Sequence, residues 1–462
     1  MEQFDFLFVY QIKQRELENI ILLKKELERR GYSVAIEPFW RCKHRTYRIP
    51  AKVVAGQIDD NWQMMEMRLI ADNPQKYINF KWEQIYSNSA AESKDTAMVI
   101  RGQAQKILTL AWGDNSIDHF TRVYGVPREN LVKTGHLTMD FLRPEFRSFY
   151  KGREELAKEF SLDPKKKWYL YISSFTSNAL TKEDFEGWRH QHSGSKDLYA
   201  KKRFSEQSQR MTLDWIEKAL QDHPDYEFIY RPHPVERDNP IILDLEKRCP
   251  QFHAISAYSV KPWILACDKI YTWYSTSIGE IYCAGRSCSI IRPLPIAFEE
   301  DPEVYRHAAV ISDQETFERE FAVIHEGASA FPIPAEDMER FYYVTEDSYV
   351  FERVADAFEM VLHDDRFIVE APMEDVPLES SMPARVKNGI RRFTGASRIC
   401  MALSHTKVLQ KTKFADTVRL NHAEHLDVKK NVASKKELRD LEQRVEEIQK
   451  NRRPRKDRGS KA

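Results

Sequence analysis

The sequence predicts an α/β protein with two Rossmann-like domains, whose parallel sheets face a cleft. The chain opens with a strand, an amphipathic helix and a second strand over residues 4–37. A new series of strands and helices begins near residue 168, and 462 residues suffice for two domains with sizeable cores. We place the domains at residues 1–164 and 165–366, followed by a basic helical extension at residues 367–462.

The first domain is predicted to begin with a strand over Phe4–Tyr10. Residues 16–30 follow as a helix whose apolar face is interrupted by Lys24 and which ends at Gly31. A strand over residues 32–37 completes a βαβ unit, which predicts parallel pairing with a right-handed crossover. The first turn lacks a glycine-rich phosphate loop, so we expect residues 11–15 to face an acceptor rather than a pyrophosphate.

Further strands of the first domain are predicted at residues 51–55, 77–80 and 107–112. Glu83 stands at a strand end, where a carboxylate can take the proton of an attacking acceptor hydroxyl. A solvated loop glutamate is the alternative. Asp114 and His136 are secondary site candidates, and helix capping is the alternative for both.

The second domain is predicted to begin with a strand over residues 168–172, with Ser173 and Ser174 at its tip. Small hydroxyl side chains there would let donor phosphates or the acceptor approach closely. A strongly apolar helix at residues 348–362 is expected to cross back onto the first domain.

A strand centred on residues 228–230 ends in the turn Arg-Pro-His-Pro. Pro232 and Pro234 hold the backbone around His233 in an extended form that cannot continue as a helix. Arg231 offers a planar fork suited to phosphate, and His233 can donate a hydrogen bond or a proton to a leaving phosphate. The alternative is a pair of surface polar residues in a proline-stiffened loop.

A second strand ends in three hydroxyl residues, Ser275, Thr276 and Ser277, before a helix predicted at residues 278–284. Their hydroxyls and the free amides of the first turn could hold a phosphate, and Glu280 could accept bonds from two ribose hydroxyls. An ordinary hydroxyl cap with a first-turn carboxylate is the alternative. Together the two turns predict a nucleotide site, because ligands of α/β sheets bind at strand carboxyl ends.

These motifs also carry a family resemblance. The strand ending in R-P-H-P, then S-T-S-I-G-E opening a helix that ends in A-G-R, resembles the donor half of bacterial GT-B glycosyltransferases, most closely surface carbohydrate (capsule or lipopolysaccharide) biosynthesis proteins. More distantly it is similar to sialyl and Kdo transferases with a His-Pro motif and to CDP-glycerol glycerophosphotransferases. Segments similar to W-E-Q, A-W-G-D and T-G-x-x-x-x-D extend the resemblance over most of residues 4–362. In these families the histidine and the Ser/Thr cluster bind the donor phosphate, which implies this role for His233 and residues 275–277.

The resemblance implies a glycosyltransferase that moves a sugar from a nucleotide-activated donor, CMP- or CDP-linked among the candidates, to a glycan or lipid-linked glycan acceptor. His233 and Glu83 are the predicted catalytic residues. No cofactor is expected, and the lack of an Asp-x-Asp motif predicts metal independence. Two alternatives stay open: a glycerophosphotransferase of teichoic-acid-like polymer synthesis, and a non-catalytic scaffold of a glycan assembly complex.

The C-terminal extension is strongly basic. From Arg385 onward it holds 22 Lys and Arg against 9 Asp and Glu, a net charge of +13 within a chain whose total is zero. Residues 384–393 mix apolar and basic side chains, which suits a helix on an anionic membrane surface. A solvated basic helix is the alternative. No aromatic interleaving supports nucleic-acid binding there.

The end of the extension predicts one more helix. Ser434 and Glu437 form a capping box. The apolar residues that follow are spaced as in a short coiled-coil seam, which would allow self-association: Leu438, Leu441, Val445 and Ile448. A lone solvated helix is the alternative, and the residues after it are expected to be disordered.

We expect a cytoplasmic protein that is peripheral at the inner face of the plasma membrane. The acidic N-terminal residues do not resemble an export signal, and no apolar run approaches the roughly 20 residues that span a bilayer. The 6 cysteines lack a Cys-x-x-Cys pair and fit reduced thiols. His190 and His192 are not expected to bind a metal, because no matching carboxylate spacing accompanies them.

Overall fold

Two parallel sheets form the framework of the protein. The computed structural model describes residues 3–40, 47–72, 74–86, 99–180, 185, 198–234, 236, 238–296, 301–323, 333–369, 390, 393–404, 406 and 412–452. Each sheet lies between apolar clusters on its two faces, as the near-continuous apolar runs of its strands require.

The first sheet contains seven strands. They are β1 (Phe4–Tyr10), β2 (Val34–Pro38), β3 (Ile49–Gly56), β4 (Ala71–Asp72), β5 (Lys76–Asn79), β6 (Leu108–Ala111) and β7 (Leu131–Lys133). Their order is β2-β1-β3-β5-β6-β7, and β4 pairs with β3. Because β1 and β2 pair in parallel, the predicted βαβ opening is confirmed.

The second sheet contains six parallel strands. They are β8 (Lys167–Ile172), β9 (Tyr226–Arg231), β10 (Phe252–Ala254), β11 (Lys269–Thr272), β12 (Ser289–Ile291) and β13 (Ala309–Ile311). Their order β10-β9-β8-β11-β12-β13 is that of a doubly wound sheet, and the order reverses between β8 and β11. The loops that follow β8, β9 and β11 therefore meet at one crevice.

Most helices flank the two sheets, and the last three belong to the C-terminal extension. The helices are α1 (Lys13–Arg29), α2 (Asn61–Ile70), α3 (Asp114–Arg122), α4 (Arg153–Phe160), α5 (Leu198–Asp222), α6 (Pro240–Arg248), α7 (Lys261–Ala266), α8 (Ile278–Cys283), α9 (Gln314–Phe321), α10 (Ala335–Tyr342), α11 (Val350–His363), α12 (Arg398–Ser404), α13 (Lys413–Asn431) and α14 (Lys435–Gln449). Gly31 ends α1 as predicted, with a φ of +95° that favours glycine.

Helix α11 crosses back onto the first sheet, as the sequence predicts. The ring of Phe358 lies 5.2 Å from the rings of both Phe6 and Phe8, measured between centroids, and 5.7 Å from that of Phe80. By chain position this helix falls within the predicted second domain, residues 165–366. In space it packs in the core of the first domain.

Helix α14 corrects the prediction of a coiled-coil seam for self-association. Val445 and Ile448 are 0% and 3% exposed in the core of the first domain, and Leu438 and Leu441 pack against the same cluster. The seam is therefore covered by this chain itself. The predicted capping box is confirmed, because Ser434 and Glu437 exchange hydrogen bonds between side chain and backbone.

The same contact explains why α1 is an imperfect amphipathic helix. Lys24 interrupts its apolar face, and its Nζ lies 2.9 Å from a carboxylate oxygen of Glu442 on α14. The next residue, Lys25, lies 2.7 Å from Glu446 in the same way. Charged residues of α1 thus face a second helix rather than solvent alone.

Part of the C-terminal extension lies outside the described residues. Of the predicted membrane-binding helix at 384–393, the structure describes Ile390 and Phe393, which are 59% and 69% exposed. The tail after residue 452, His190 and His192 also lie outside the described part. Among the described helices, none has the length and apolar character needed to cross a bilayer.

Candidate active site

A cleft opens between the two domains, at the carboxyl ends of strands from both sheets. The predicted site residues that line it are Glu83, His136, Ser173, Arg231, His233, Ser275, Thr276, Ser277 and Glu280. Gln14 and Arg15, from the turn that follows β1, line it as well. The cleft thus brings together most of the candidates that the sequence scatters over two hundred positions.

His233 lies in a loop that a buried carboxylate fixes. Glu236 accepts a hydrogen bond from the backbone N–H of His233 at 3.1 Å and one from the Ser173 hydroxyl at 2.7 Å. It also accepts one from the hydroxyl of Tyr230 at 3.0 Å. Burial raises the pKa of the Glu236 carboxyl. These bonds tie the tips of β8 and β9 together and hold the loop at the cleft.

The imidazole of His233 is neutral near pH 7. Burial lowers its pKa to about 4, and the positive charges of Arg15 and Lys430 act in the same direction. Lys430, at the end of α13, donates to the carbonyl of Pro234 and so brings the C-terminal segment to the edge of the site. A neutral imidazole carries one N–H donor, which can bind a phosphate oxygen.

The structure corrects the prediction that Arg231 offers its guanidinium to phosphate. The side chain is buried, and it donates to the carbonyl oxygens of Ile255 at 3.0 Å, of Ala257 at 2.8 Å and of Tyr258. Burial lowers its pKa to about 10. Arg231 therefore holds the loop after β10, in which Tyr258 has a φ of +64°, and adds positive charge beneath the cleft.

The hydroxyl turn before α8 is also built differently from the prediction. Ser277 makes no side-chain cap, and its N–H donates to the Ser275 hydroxyl at 3.2 Å. The next two amides donate to carbonyls of residues 275 and 276. Because these amides are engaged within the turn, the hydroxyls are the groups that the turn presents to the cleft.

Glu280 stands one turn into α8 and also lines the cleft. Burial raises the pKa of its carboxyl to about 7, Lys261 opposes this shift, and the negative charges of Glu83 and Glu18 add to it. Near neutral pH the carboxyl can therefore accept a hydrogen bond from a hydroxyl when ionised or donate one when protonated.

Glu83 is paired with an arginine from the first turn of the chain. Arg15 donates to a carboxylate oxygen of Glu83 at 3.0 Å and to one of Glu16 at 2.7 Å. This pairing, rather than a solvated loop position, fixes the Glu83 carboxylate at the rim of the cleft. Its role as a base stays a prediction.

Two predicted candidates lie outside the cleft lining. Asp114 is the first residue of α3, and its carboxylate accepts a bond from the Nζ of Lys133 at 2.9 Å on the surface. The hydroxyl of Ser174 is shielded within the structure and does not line the cleft. Whether a residue at a strand end lines the cleft depends on the direction of its side chain, and the sequence alone does not show that direction.

Comparisons with known proteins place this arrangement in a fold class. No protein-family model matches the chain, and no curated protein matches it. Among solved structures, the wall teichoic acid polymerase TagF aligns with a TM-score of 0.53 at 12% identity, covering 78% of this chain and 90% of that chain. A TagF variant soaked with CDPG aligns with a TM-score of 0.51 at 12% identity and the same coverage. The chain has the GT-B fold.

The fold predicted from the sequence motifs is therefore confirmed, and at this identity the likeness concerns the fold alone. UDP-GlcNAc 2-epimerase from Neisseria meningitidis, bound to UDP-GlcNAc, aligns with a TM-score of 0.48 at 13% identity, covering 78% of this chain and all of that chain.

Several cleft residues of this GT-B protein were missed by sequence reasoning. Lys261, 2% exposed at the start of α7, donates to the Thr138 hydroxyl at 2.7 Å and forms an ion pair with Glu18 across the domain boundary. Tyr342 reaches the cleft from the end of α10. No local pattern marks either residue, because their neighbours come from distant parts of the chain.

Proposed function

We propose that the protein is a GT-B glycosyltransferase that transfers a sugar from a nucleotide-activated donor to a surface polysaccharide acceptor of the capsule or lipopolysaccharide type. One observation carries the proposal: the His233 loop after β9 and the hydroxyl turn after β11 line one cleft, at the switch point of the second sheet. Doubly wound sheets bind their ligands in this crevice.

The donor side of the proposed reaction rests on the second domain. The hydroxyls of residues 275–277 and the ring N–H of His233 bind the donor phosphate. As the bond between the anomeric carbon and the phosphate oxygen breaks, negative charge builds on that phosphate. Preorganised donors stabilise such charge, and the buried positive charge of Arg231 acts in the same direction. Metal independence remains part of the proposal.

The acceptor side rests on the first domain. Glu83 takes the proton of the acceptor hydroxyl as its oxygen forms the new bond to the anomeric carbon. Arg15 orients this carboxylate through the 3.0 Å bond between them. In this arrangement the first domain places the Glu83 carboxylate at the attacking oxygen, while the second domain holds the donor.

We extend the proposal to the place where the protein works, the inner face of the plasma membrane. The net charge of +13 after residue 384 and the exposed side chains of Ile390 and Phe393 support contact with an anionic lipid surface.

The proposal predicts that one nucleotide raises the unfolding temperature of the purified protein. A thermal-shift panel would contain CMP, CDP, UDP, GDP and CMP-sugars. A ligand at a hundred times its Kd stabilises a protein by about 2.7 kcal/mol, which is several degrees for a domain of this size. The shift should be lost in His233→Ala and retained in Asp114→Ala, which changes a residue outside the cleft lining.

Three results would contradict this assignment in different ways. No shift with any nucleotide, or a shift that persists in His233→Ala, removes the proposed site. Transfer of glycerol phosphate from CDP-glycerol, without sugar transfer from nucleotide sugars, assigns the glycerophosphotransferase instead. Undiminished surface glycan in cells that carry His233→Ala favours the scaffold.

A further inference from the structure

Trp112, His136, Thr138, Glu280 and Tyr342 line one part of the cleft, which we call the inner compartment. It lies at the junction of the domains, where the end of α10 meets the loop that follows β7. Gly135, next to His136, has a φ of +92°, and a Cβ placed there would lie 2.9 Å from the carbonyl oxygen of Tyr342. This close approach brings Tyr342 beside His136.

His136 has polar atoms without a partner. The residue is 8% exposed, and within the part of the chain that the structure describes neither ring nitrogen has a hydrogen-bond partner. The ring stacks on Trp112 with 3.9 Å between centroids. Burial lowers the pKa of the imidazole well below its ordinary value, and the charges of Lys261 and Arg15 add to the effect. The ring is therefore neutral and offers one donor and one acceptor.

Tyr342 also lines this compartment. The residue is 1% exposed, and its shielded hydroxyl has no hydrogen-bond partner among the described residues. A Cβ at Gly279 would lie 2.3 Å from the Cζ atom of the Tyr342 ring, so only glycine lets this ring lie against the first turn of α8. Burial raises the pKa of the phenol well above its ordinary value, and the negative charge of the neighbouring Glu280 adds to the effect.

Buried polar groups without partners are costly, and in a cleft they indicate a ligand that satisfies them. The groups of the inner compartment all match hydroxyls, since a neutral imidazole, a phenol and a carboxyl each donate or accept a hydrogen bond. An aromatic wall with such groups is typical of sites for sugars and polyols.

The charges of the described cleft lining disfavour an acidic ligand in this compartment. Lys261 is paired with Glu18, and Arg15 is paired with Glu16 and Glu83. The guanidinium of Arg231 is used by three carbonyls, and Glu280 adds a carboxyl. A sugar carboxylate would meet no cation among these residues that lacks a partner.

We propose that the inner compartment binds an uncharged, hydroxyl-rich group, a neutral sugar or a polyol, which is the unit that the donor transfers, and that His136 and Tyr342 select it. This inference rests on the proposed function, and it excludes acidic sugars as the transferred unit.

Isothermal titration of the full-length protein tests the inference with three matched pairs: UDP and UDP-glucose, CDP and CDP-glycerol, CMP and CMP-N-acetylneuraminate. We expect a neutral conjugate to bind more tightly than its own nucleotide, and the acidic conjugate not to do so. Tyr342→Phe and His136→Gln should each reduce this gain in affinity of the conjugate over its nucleotide about three- to tenfold, as the loss of one hydrogen bond does. The affinity for the nucleotide alone should be unchanged.

Tyr305→Phe is the matched control. Tyr305 is 4% exposed and lies outside the lining of this cleft, and no described residue forms a hydrogen bond with its hydroxyl. The control should leave both affinities unchanged. Since Tyr342→Phe removes a hydroxyl that makes no bond in the structure, its unfolding temperature should be unchanged or higher, which shows that the variant folds.

The outcomes separate this inference from the proposed function. If no nucleotide binds, both fail together. If nucleotides bind in a His233-dependent way but Tyr342→Phe and His136→Gln leave the gain intact, the inference alone is overturned. Preference for the acidic conjugate also overturns it. If the two variants bind a glycan acceptor more weakly but bind donors as before, the compartment binds the acceptor. That result also overturns the identification of its ligand as the transferred unit.

Discussion

At the scale of single residues, the site depends on how burial changes the proton affinity of His233. Its pKa of about 4 in the folded protein lies below the ordinary histidine value of 6.5. The folded state therefore keeps a neutral ring at pH 5, whereas the unfolded chain takes up a proton. Such a group suits a phosphate site, because a bound anion stabilises the protonated ring and offsets the cost of placing its charge in a buried position.

This shift predicts the direction of a pH dependence. Between pH 6.5 and pH 4 the unfolded state binds more protons at this position, so stability falls as the pH falls through this range. The unfolding temperature of His233→Gln should fall less than that of the unchanged protein. Glu280, whose pKa is raised, changes stability with pH in the opposite direction. Because both proteins contain Glu280, the difference between their curves reports His233 alone. Parallel curves for the two proteins would contradict the shift, and His363→Gln serves as a control away from the cleft.

Residue-level prediction from the sequence succeeded where a motif fixes the backbone. Pro232 and Pro234 restrict the loop around His233, so its place at a strand tip follows from covalent geometry. The planar guanidinium of Arg231 led us to expect a phosphate contact, but its donors are used by the carbonyls of residues 255, 257 and 258. Which of two nearby acceptors an arginine reaches depends on tertiary packing, and no local pattern encodes that choice.

At the scale of elements, strands are predicted well and the partners of helices are not. The first strand has the predicted bounds, and α11 crosses to the first sheet as expected. The apolar face of α14 was also recognised, but its partner is α1 of the same chain. A seam of four apolar residues specifies a buried face without specifying what buries it.

The packing of α14 predicts a loss of stability when its apolar face is shortened. Ile448→Ala should lower the free energy of unfolding by about 2–5 kcal/mol, the range for large-to-small changes in a core. Gln443→Ala, an exposed change on the same helix, should have little effect. Chemical denaturation at two protein concentrations measures both. A concentration-dependent midpoint, or equal stability of the two variants, would contradict the intramolecular packing of this helix.

At the scale of the whole molecule, the site exists because two sheets present their carboxyl ends to one cleft. The switch point between β8 and β11 supplies the His233 loop and the hydroxyl turn, and the first sheet supplies Glu83 and Arg15. The Lys261–Glu18 pair crosses the boundary beside the cleft and satisfies two buried charges at once. The sequence indicated both sheets, but the residues at their junction emerged only from the assembled fold.

A crystal structure of the protein with the nucleotide that raises its unfolding temperature would show whether the His233 loop and the hydroxyl turn bind the same phosphate. We expect one phosphate to accept hydrogen bonds from the ring of His233 and from at least one hydroxyl of residues 275–277. A nucleotide bound outside this cleft, or one whose phosphates contact neither group, would contradict it.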